Sequence, residues 1–277
     1  MRYLLFVILS TAQIFIWVFL GVSGLGKRVS DGRQNSFVNL EIEDEMVYIR
    51  GGFVPDVEKG SNSEILVKPF LIDKYEVSIE KFESFVRSTG YLPQSDRPGT
   101  EVIVLEGGKM KSVKGVNWEC DETGKKRKEK NYPAVYISFE DAEAYATWVG
   151  KRLPTMEEWI FVASSETDRQ NRWSYIINNS WHAKNTNALK PVGLKAPNAF
   201  GIYDLYGNAA EHVIANFNRT SKLPPGLTKD NVSRSAFSSF FNDPEDLIVP
   251  IFSLRNKKGT DFFTGFRCVK NVNSDES

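Results

Sequence analysis

Three segments, in a fixed order, constrain the fold of this chain more than any other feature. They read GKRLPTMEEW at 150–159, NAFGIYDLYGNAAE at 198–211 and GFRC at 265–268. The first contains Thr155 and Glu158 at the spacing of a capping box, in which the hydroxyl and the carboxylate each satisfy a free amide where a helix begins. A helix is therefore predicted to begin at Thr155. After this helix the sequence is rich in turn-forming and aromatic residues, and few of its runs are long enough for helices.

The three segments resemble the sulfatase-modifying-factor domain, the formylglycine-generating-enzyme family, from about Met46 to Val269. The resemblance implies an α+β fold with irregular loops, short strands and little regular secondary structure, related to the C-type lectin domain. It also implies a reactive cysteine pair shortly before the GFR segment. This chain has no cysteine between Arg234 and Gly265, and serines stand in the corresponding stretch, 234–242. It resembles the fold of an oxidase without the oxidase's chemistry.

Bulk properties exclude one large class of function. With 277 residues, 41% of them apolar, the chain can form one large core. Lys+Arg and Asp+Glu both number 35, so no long-range field attracts nucleic acid.

The N-terminal segment is almost continuously apolar from Tyr3 to Val22, about the length that crosses a bilayer as a helix. It is either a cleaved secretion signal or an uncleaved anchor. Both alternatives place the domain outside the cytoplasm, in the periplasm or secreted. The expected organisation is signal peptide or transmembrane anchor at 1–23, linker at 24–45, domain at 46–270 and flexible tail at 271–277.

Local patterns predict several elements of the domain. Met46 begins a strand that enters a glycine turn, and a second strand is expected within 68–77. Ser78 and Ser138 look like helix N-caps, with Gly90 and Gly150 closing the two helices. A lysine-rich stretch at 109–130 is predicted to be a solvated loop, since acidic residues are interspersed in it.

The segment 204–211 is a candidate calcium site. Calcium takes six to eight oxygens from carboxylates and backbone carbonyls. By resemblance, the ion would be held by the side chains of Asp204 and Glu211 and the backbone oxygens of Gly207 and Ala209. Such an ion would be structural. The alternative is a turn whose carboxylates accept hydrogen bonds from amides.

The cysteines, histidines and arginines give weaker signals. Cys120 and Cys268 could form a disulfide or remain two free thiols; the family's partner position for Cys268 is Ala146 here. Two histidines with Asp204 and Glu211 could be counted as an iron site, although Glu211 is better used by calcium. Arg255 and Arg267 are expected to form buried ion pairs.

The leading hypothesis is a noncatalytic, exported or membrane-anchored domain. It would act as a binding or scaffold component of an extracytoplasmic protein complex, as in the gliding-motility and secretion machinery to which some family members belong. The expected contact surface is an altered groove, although core packing is an equal alternative for its phenylalanines. The groove residues are Trp173, Tyr175, Ala210, His212, Phe237, Phe240 and Phe241. Two other functions remain open: a metal-dependent oxidase or formylglycine-generating-type enzyme with a divergent active site, and a calcium-dependent glycan or small-ligand binder.

Overall fold

The computed structural model describes residues 45–56, 63–164, 169–217, 223, 225–236, 238–247 and 252–272. All of them belong to the unit that runs from Glu43 to Ser277. The predicted signal or anchor, most of the linker and most of the tail lie outside the described residues. Among the residues that are described, no helix is long and apolar enough to cross a membrane.

Short strands in four small sheets make up the described β structure. The strands are β1 (Met46–Ile49), β2 (Gly52–Pro55), β3 (Glu64–Val67), β4 (Phe70–Asp73), β5 (Glu101–Glu106), β6 (Lys109–Lys114), β7 (Ala210–Val213), β8 (Val232–Ala236), β9 (Phe252–Asn256), β10 (Thr264–Gly265) and β11 (Val269–Asn271). The sheets have the orders β1-β4-β11, β2-β3, β5-β6 and β10-β7-β8-β9. Within the last of them, β10 runs parallel to β7 and the other pairs are antiparallel.

The described residues also form five α-helices. They are α1 (Ile79–Thr89), α2 (Phe139–Trp148), α3 (Met156–Ala163), α4 (Arg169–Asn179) and α5 (Pro244–Leu247). The predicted caps are confirmed. Ser78 accepts from the Lys81 amide at 3.3 Å, and Gly90 ends α1 at φ +68°. At α3, the Thr155 hydroxyl accepts from the Glu158 amide at 3.1 Å, and the Glu158 carboxylate accepts from the Thr155 amide at 2.8 Å.

Two predictions about local structure were wrong. The lysine-rich stretch begins as strand β6 of a hairpin, because the preceding strand β5 anchors it by burying Val102 and Val104. Helix α4 was missed because its sequence is mostly polar, and only a narrow stripe that includes Tyr175 and Ile176 is buried. Part of the expected second strand, 70–73, is β4.

Three hydrophobic clusters form the core. One surrounds Trp159 and Tyr206, the second contains Phe82 and Phe266, and the third contains Phe262. Strand β7 is buried along its whole length and borders the first and third clusters. Because successive side chains of a strand point to opposite faces, β7 sends alternate residues into two different environments.

Candidate functional site

A buried ion pair lies on one side of β7. Arg267 donates from Nε and Nη2 to the Glu211 carboxylate at 2.7–2.9 Å, and both side chains are fully buried. Its remaining N–H groups donate to the carbonyls of Asp73, Lys74 and Tyr203 at 2.8–3.2 Å. The expected ion pair of Arg267 is thus confirmed, and the guanidinium ties β4, β7 and the loop before β7 together.

Arg255 forms the other expected pair. Its guanidinium binds Asp261, and its Nε donates to the Ser235 hydroxyl at 2.8 Å. The arginine links β9 to β8 and to the turn before β10, which is a structural role.

Two further acids lie buried beside the Arg267–Glu211 pair. Glu76 accepts hydrogen bonds from the Ala209 amide at 2.8 Å and from the Asn208 side chain at 2.7 Å. Burial, followed by the negative charges of Asp204 and Glu211, holds the pKa of Glu76 well above its usual range. Sequence reasoning missed Glu76, because an acid between Asp73 and Glu80, two positions before the Ser78 cap, looks like an ordinary surface residue.

Asp204 sits in the left-handed region at φ +52°. Its Oδ2 accepts from the Gly193 amide at 2.6 Å, whereas Oδ1 is buried and has no hydrogen-bond partner among the described residues. Burial raises the pKa of Asp204. The neighbourhood therefore contains three buried carboxyl groups and one guanidinium.

The fit to calcium differs between the predicted ligands. Asp204 offers an oxygen, and the loop is held in the tight geometry that glycine permits: a Cβ on Gly207, at φ +82°, would lie 2.0 Å from the Trp181 carbonyl. Both Glu211 oxygens, in contrast, already accept from Arg267, and one also accepts from Trp159 Nε1 at 3.0 Å. No group of three or more His, Cys, Asp or Glu among the described residues is arranged to hold a metal. Of the predicted side-chain ligand oxygens, Asp204 Oδ1 is therefore the one left without a hydrogen bond among the described residues.

In the stretch where the resemblance predicts a cysteine pair, two serine hydroxyls already have hydrogen-bond partners. Ser238 accepts from the Gly207 amide at 2.9 Å and donates to the Leu205 carbonyl at 3.3 Å. Ser239 donates to the Asn242 side chain at 2.9 Å. Both serines are buried. They fix a turn against the 204–211 loop, and neither is presented as a nucleophile.

Four phenylalanines pack on the other side of β7, next to this turn. We call Phe240, Phe241, Phe262 and Phe263 the phenylalanine cluster. The rings of Phe241 and Phe263 stack with centroids 6.1 Å apart, and Phe262 meets Phe263 edge-on at 4.9 Å. Ala210, where the family has a tryptophan, packs in the same hydrophobic core.

The predicted groove does not form as an open surface. Ala210 and His212 have no solvent exposure, because β7 is covered on both faces. Tyr175 and Phe240 are also buried. Core packing, the alternative weighed for the phenylalanines, therefore describes Phe240.

Trp173 and Phe241 keep accessible surface, and Phe241 is 39% exposed. Phe237 lies outside the described residues. Within the predicted groove, the half-buried Trp173 and the exposed Phe241 are what the described residues offer to a partner.

The two histidines have different surroundings. The His212 ring meets Phe139 edge-on, and its Nε2 lies 2.9 Å from the Ile137 carbonyl; burial lowers its pKa to about 4. His182 is engaged in a turn with Asn185. No iron-binding group of histidines and carboxylates is arranged among the described residues.

Cys120 and Cys268 are free, and both are buried. They belong to different hydrophobic clusters, and burial raises the pKa of each thiol. Of the two alternatives, the structure has the free thiols.

Comparison with known proteins decides the family. Residues 35–272 match the model of the sulfatase-modifying factor enzyme 1-like domain. The chain belongs to this family. The formylglycine-generating enzyme of Thermomonospora curvata is 32% identical to the chain over 62% of the chain and 71% of that enzyme. The inactive C-alpha-formylglycine-generating enzyme 2 of Mus musculus is 30% identical over 61% of the chain and 66% of that protein.

The fold of the sulfatase-modifying-factor domain is shared by solved structures. PvdO from Pseudomonas aeruginosa aligns with a TM-score of 0.59 and 20% identity over 82% of this chain and 94% of PvdO, a likeness that concerns the fold alone. The chain spans about half the length of mammalian formylglycine-generating enzymes.

Proposed function

We propose that this sulfatase-modifying-factor domain is a noncatalytic binding component of a protein complex outside the cytoplasm, held to the membrane by residues 1–23. The observation that carries the proposal is the stretch 234–242. Where the family resemblance calls for a cysteine pair, the chain has two buried serines bound within a turn and two phenylalanines of the cluster.

The chemistry of the missing pair explains why this change matters. Cu(I) is a soft ion that prefers thiolate ligands, and serine hydroxyls do not replace them. Ser238 and Ser239 are moreover committed to hydrogen bonds at 2.9 Å within the fold. The name of the inactive mouse relative is consistent with the domain existing in the family without the activity.

The proposed partner surface is centred on Phe241. Aromatic side chains supply much of the binding energy in protein interfaces when their neighbours exclude water. Phe241 lies on the ring of Phe263, which holds it in one position, and exposed Asp243, Glu245 and Asp246 follow it in sequence. A partner segment with an apolar side chain next to basic residues fits this surface.

Photo-crosslinking in the native membrane tests the proposal. A photoreactive amino acid replaces Phe241 in the full chain, and the matched control carries it at Met110, a 51% exposed apolar residue on β6. We expect one near-stoichiometric protein adduct from position 241 and none from position 110. Equal, diffuse labelling from both positions would contradict the proposal and favour an enzyme or a glycan binder.

We also propose a structural calcium ion at the 204–211 loop. Its support is the unpartnered Asp204 Oδ1 beside two other buried carboxyl groups, those of Glu76 and Glu211, and one guanidinium. Calcium should raise the unfolding temperature of the wild type and should not raise that of Asp204→Asn. The same response in both proteins, or in neither, would show that the loop is a turn closed by hydrogen bonds alone.

A further inference from the structure

An exposed apolar pair lies on the β2–β3 hairpin, far along the chain from the Phe241 surface. Phe53 and Leu66 are direct cross-strand neighbours and are 65% and 59% exposed. They are the two most exposed large apolar residues near the start of the domain. Side chains in cross-strand pairs contact each other, so the two form one continuous apolar surface.

The hairpin that carries this pair is held firmly. Val54 and Val67 alternate with the exposed residues and are buried in the core cluster of Trp159. The ring of Phe161 on α3 lies against Gly52 so closely that an added Cβ would be 2.8 Å from it. The apolar pair is thus presented on a fixed platform, and its exposure does not arise from a loosely packed element.

The size of the pair argues against a stable protein interface. Such an interface takes about 800 Å² from each partner, whereas even a fully buried aromatic side chain contributes only about 150–250 Å². A surface this small can bind only weakly by itself. It can contribute to binding when a second attachment already holds the protein close to its target, as when two weak membrane anchors act together.

The proposed attachment precedes the hairpin by a short stretch of sequence. The apolar run ends at Val22, and residues 23–44 join it to Glu45, where the described domain begins. Twenty-two residues reach at most about 75 Å even when fully extended. If the run is held in a bilayer, a lipid surface therefore lies within reach of the strands that start the domain.

Charges around the pair fit a lipid surface as well. Arg50 and Lys68 are exposed at the end of the hairpin next to β1, and Glu64 is exposed at the other end. Cationic side chains near apolar ones reach toward anionic headgroups while their alkyl stems remain on apolar surface.

We infer that the Phe53–Leu66 face of the β2–β3 hairpin docks on the lipid bilayer and orients the domain, leaving the Phe241 surface for a protein partner. The inference rests on the proposed membrane attachment and not on the identity of the partner. Docking on lipid places both side chains in the interfacial layer, where their apolar surface leaves water.

Spin labels measure the docking directly. The full chain is reconstituted in phosphatidylcholine vesicles that contain a minority of phosphatidylglycerol, with a nitroxide at Phe53→Cys or, separately, at Leu66→Cys. The matched control is Met110→Cys, with 51% exposure on another hairpin. Unsubstituted protein corrects for labelling of the buried Cys120 and Cys268. Circular dichroism verifies that each variant is folded.

We expect the ratio of oxygen accessibility to accessibility for a water-soluble nickel complex to be several-fold higher at 53 and 66 than at 110. Equal ratios at the three positions would overturn the inference. Shielding of 53 and 66 from both reagents would also overturn it, because it would place protein on this face. Neither result affects the crosslinking test at Phe241, so failure of the two proposals can be told apart.

Discussion

Strand β7 separates two neighbourhoods that differ in almost every respect. On one side, Glu211 enters a buried ion pair in which every N–H of Arg267 has an acceptor. On the other side, Ala210 packs in the hydrophobic core with the phenylalanine cluster. The polar side ties the family's three sequence segments together, and the apolar side borders the Ser238–Ser239 turn. The two sides of one strand can therefore be tested separately by substitution.

Loss of the buried ion pair on the polar side of β7 should have the largest effect on the stability of the domain. Arg267→Ala leaves the Glu211 charge buried and unpaired, and removal of one partner of a buried pair destabilises a protein by about 3–5 kcal/mol. Urea unfolding of the purified chain measures the loss. Lys111→Ala, which removes the exposed partner of Glu106, is the control and should unfold like the wild type. Equal midpoints for the two variants would show that Arg267 does not hold the segments together.

Two substitutions on the apolar side of β7 should distinguish an effect on stability from an effect on partner binding. Phe240→Ala removes a buried ring and should destabilise the domain by about 3–5 kcal/mol. Phe241→Ala removes a ring that is 39% exposed, so it should destabilise the domain less while removing the crosslinked partner. Denaturant titration measures stability, and co-purification of the partner identified by crosslinking at position 241 measures binding. A partner retained in folded Phe241→Ala would place the interface elsewhere.

A substitution in the Ser238–Ser239 turn tests whether the Ser238 hydroxyl is structural. Ser238→Ala leaves the Gly207 amide without its 2.9 Å acceptor. A buried donor without a partner destabilises a protein by about 1–3 kcal/mol. Urea unfolding measures this change, and partner capture should be unchanged at a temperature where the variant is folded. Wild-type stability in Ser238→Ala would contradict the structural role.

At neutral pH the smallest effect is expected from His212, which lies on the same side of β7 as Ala210. Its pKa is about 4 in the folded protein and about 6.5 in the unfolded chain, so the unfolded state binds more protons between these values. The contribution of His212 is therefore fully present above pH 6.5 and is lost as the pH falls toward 4. NMR titration of the imidazole, assigned with His182→Gln, should give a midpoint near 4; a midpoint near 6.5 would mean that the ring meets water.

Sequence patterns predicted those parts of the molecule that local chemistry determines. Ser78, Thr155 and Glu158 satisfy amides within their own helix turns, so spacing alone was sufficient. The family resemblance supplied the fold and the loop at 204–211. Burial of Ala210 and His212 depends on what covers both faces of β7, and the role of Glu76 depends on amides more than 130 positions away. Local sequence patterns do not predict such long-range packing.

The most direct test of the proposed binding role is mass spectrometry of the protein that crosslinks at position 241, with every cysteine of that partner accounted for. We expect a near-stoichiometric partner whose cysteines are chemically unchanged. A partner in which one cysteine has become a formylglycine aldehyde, in a manner that depends on this chain, would show instead that the domain is an enzyme.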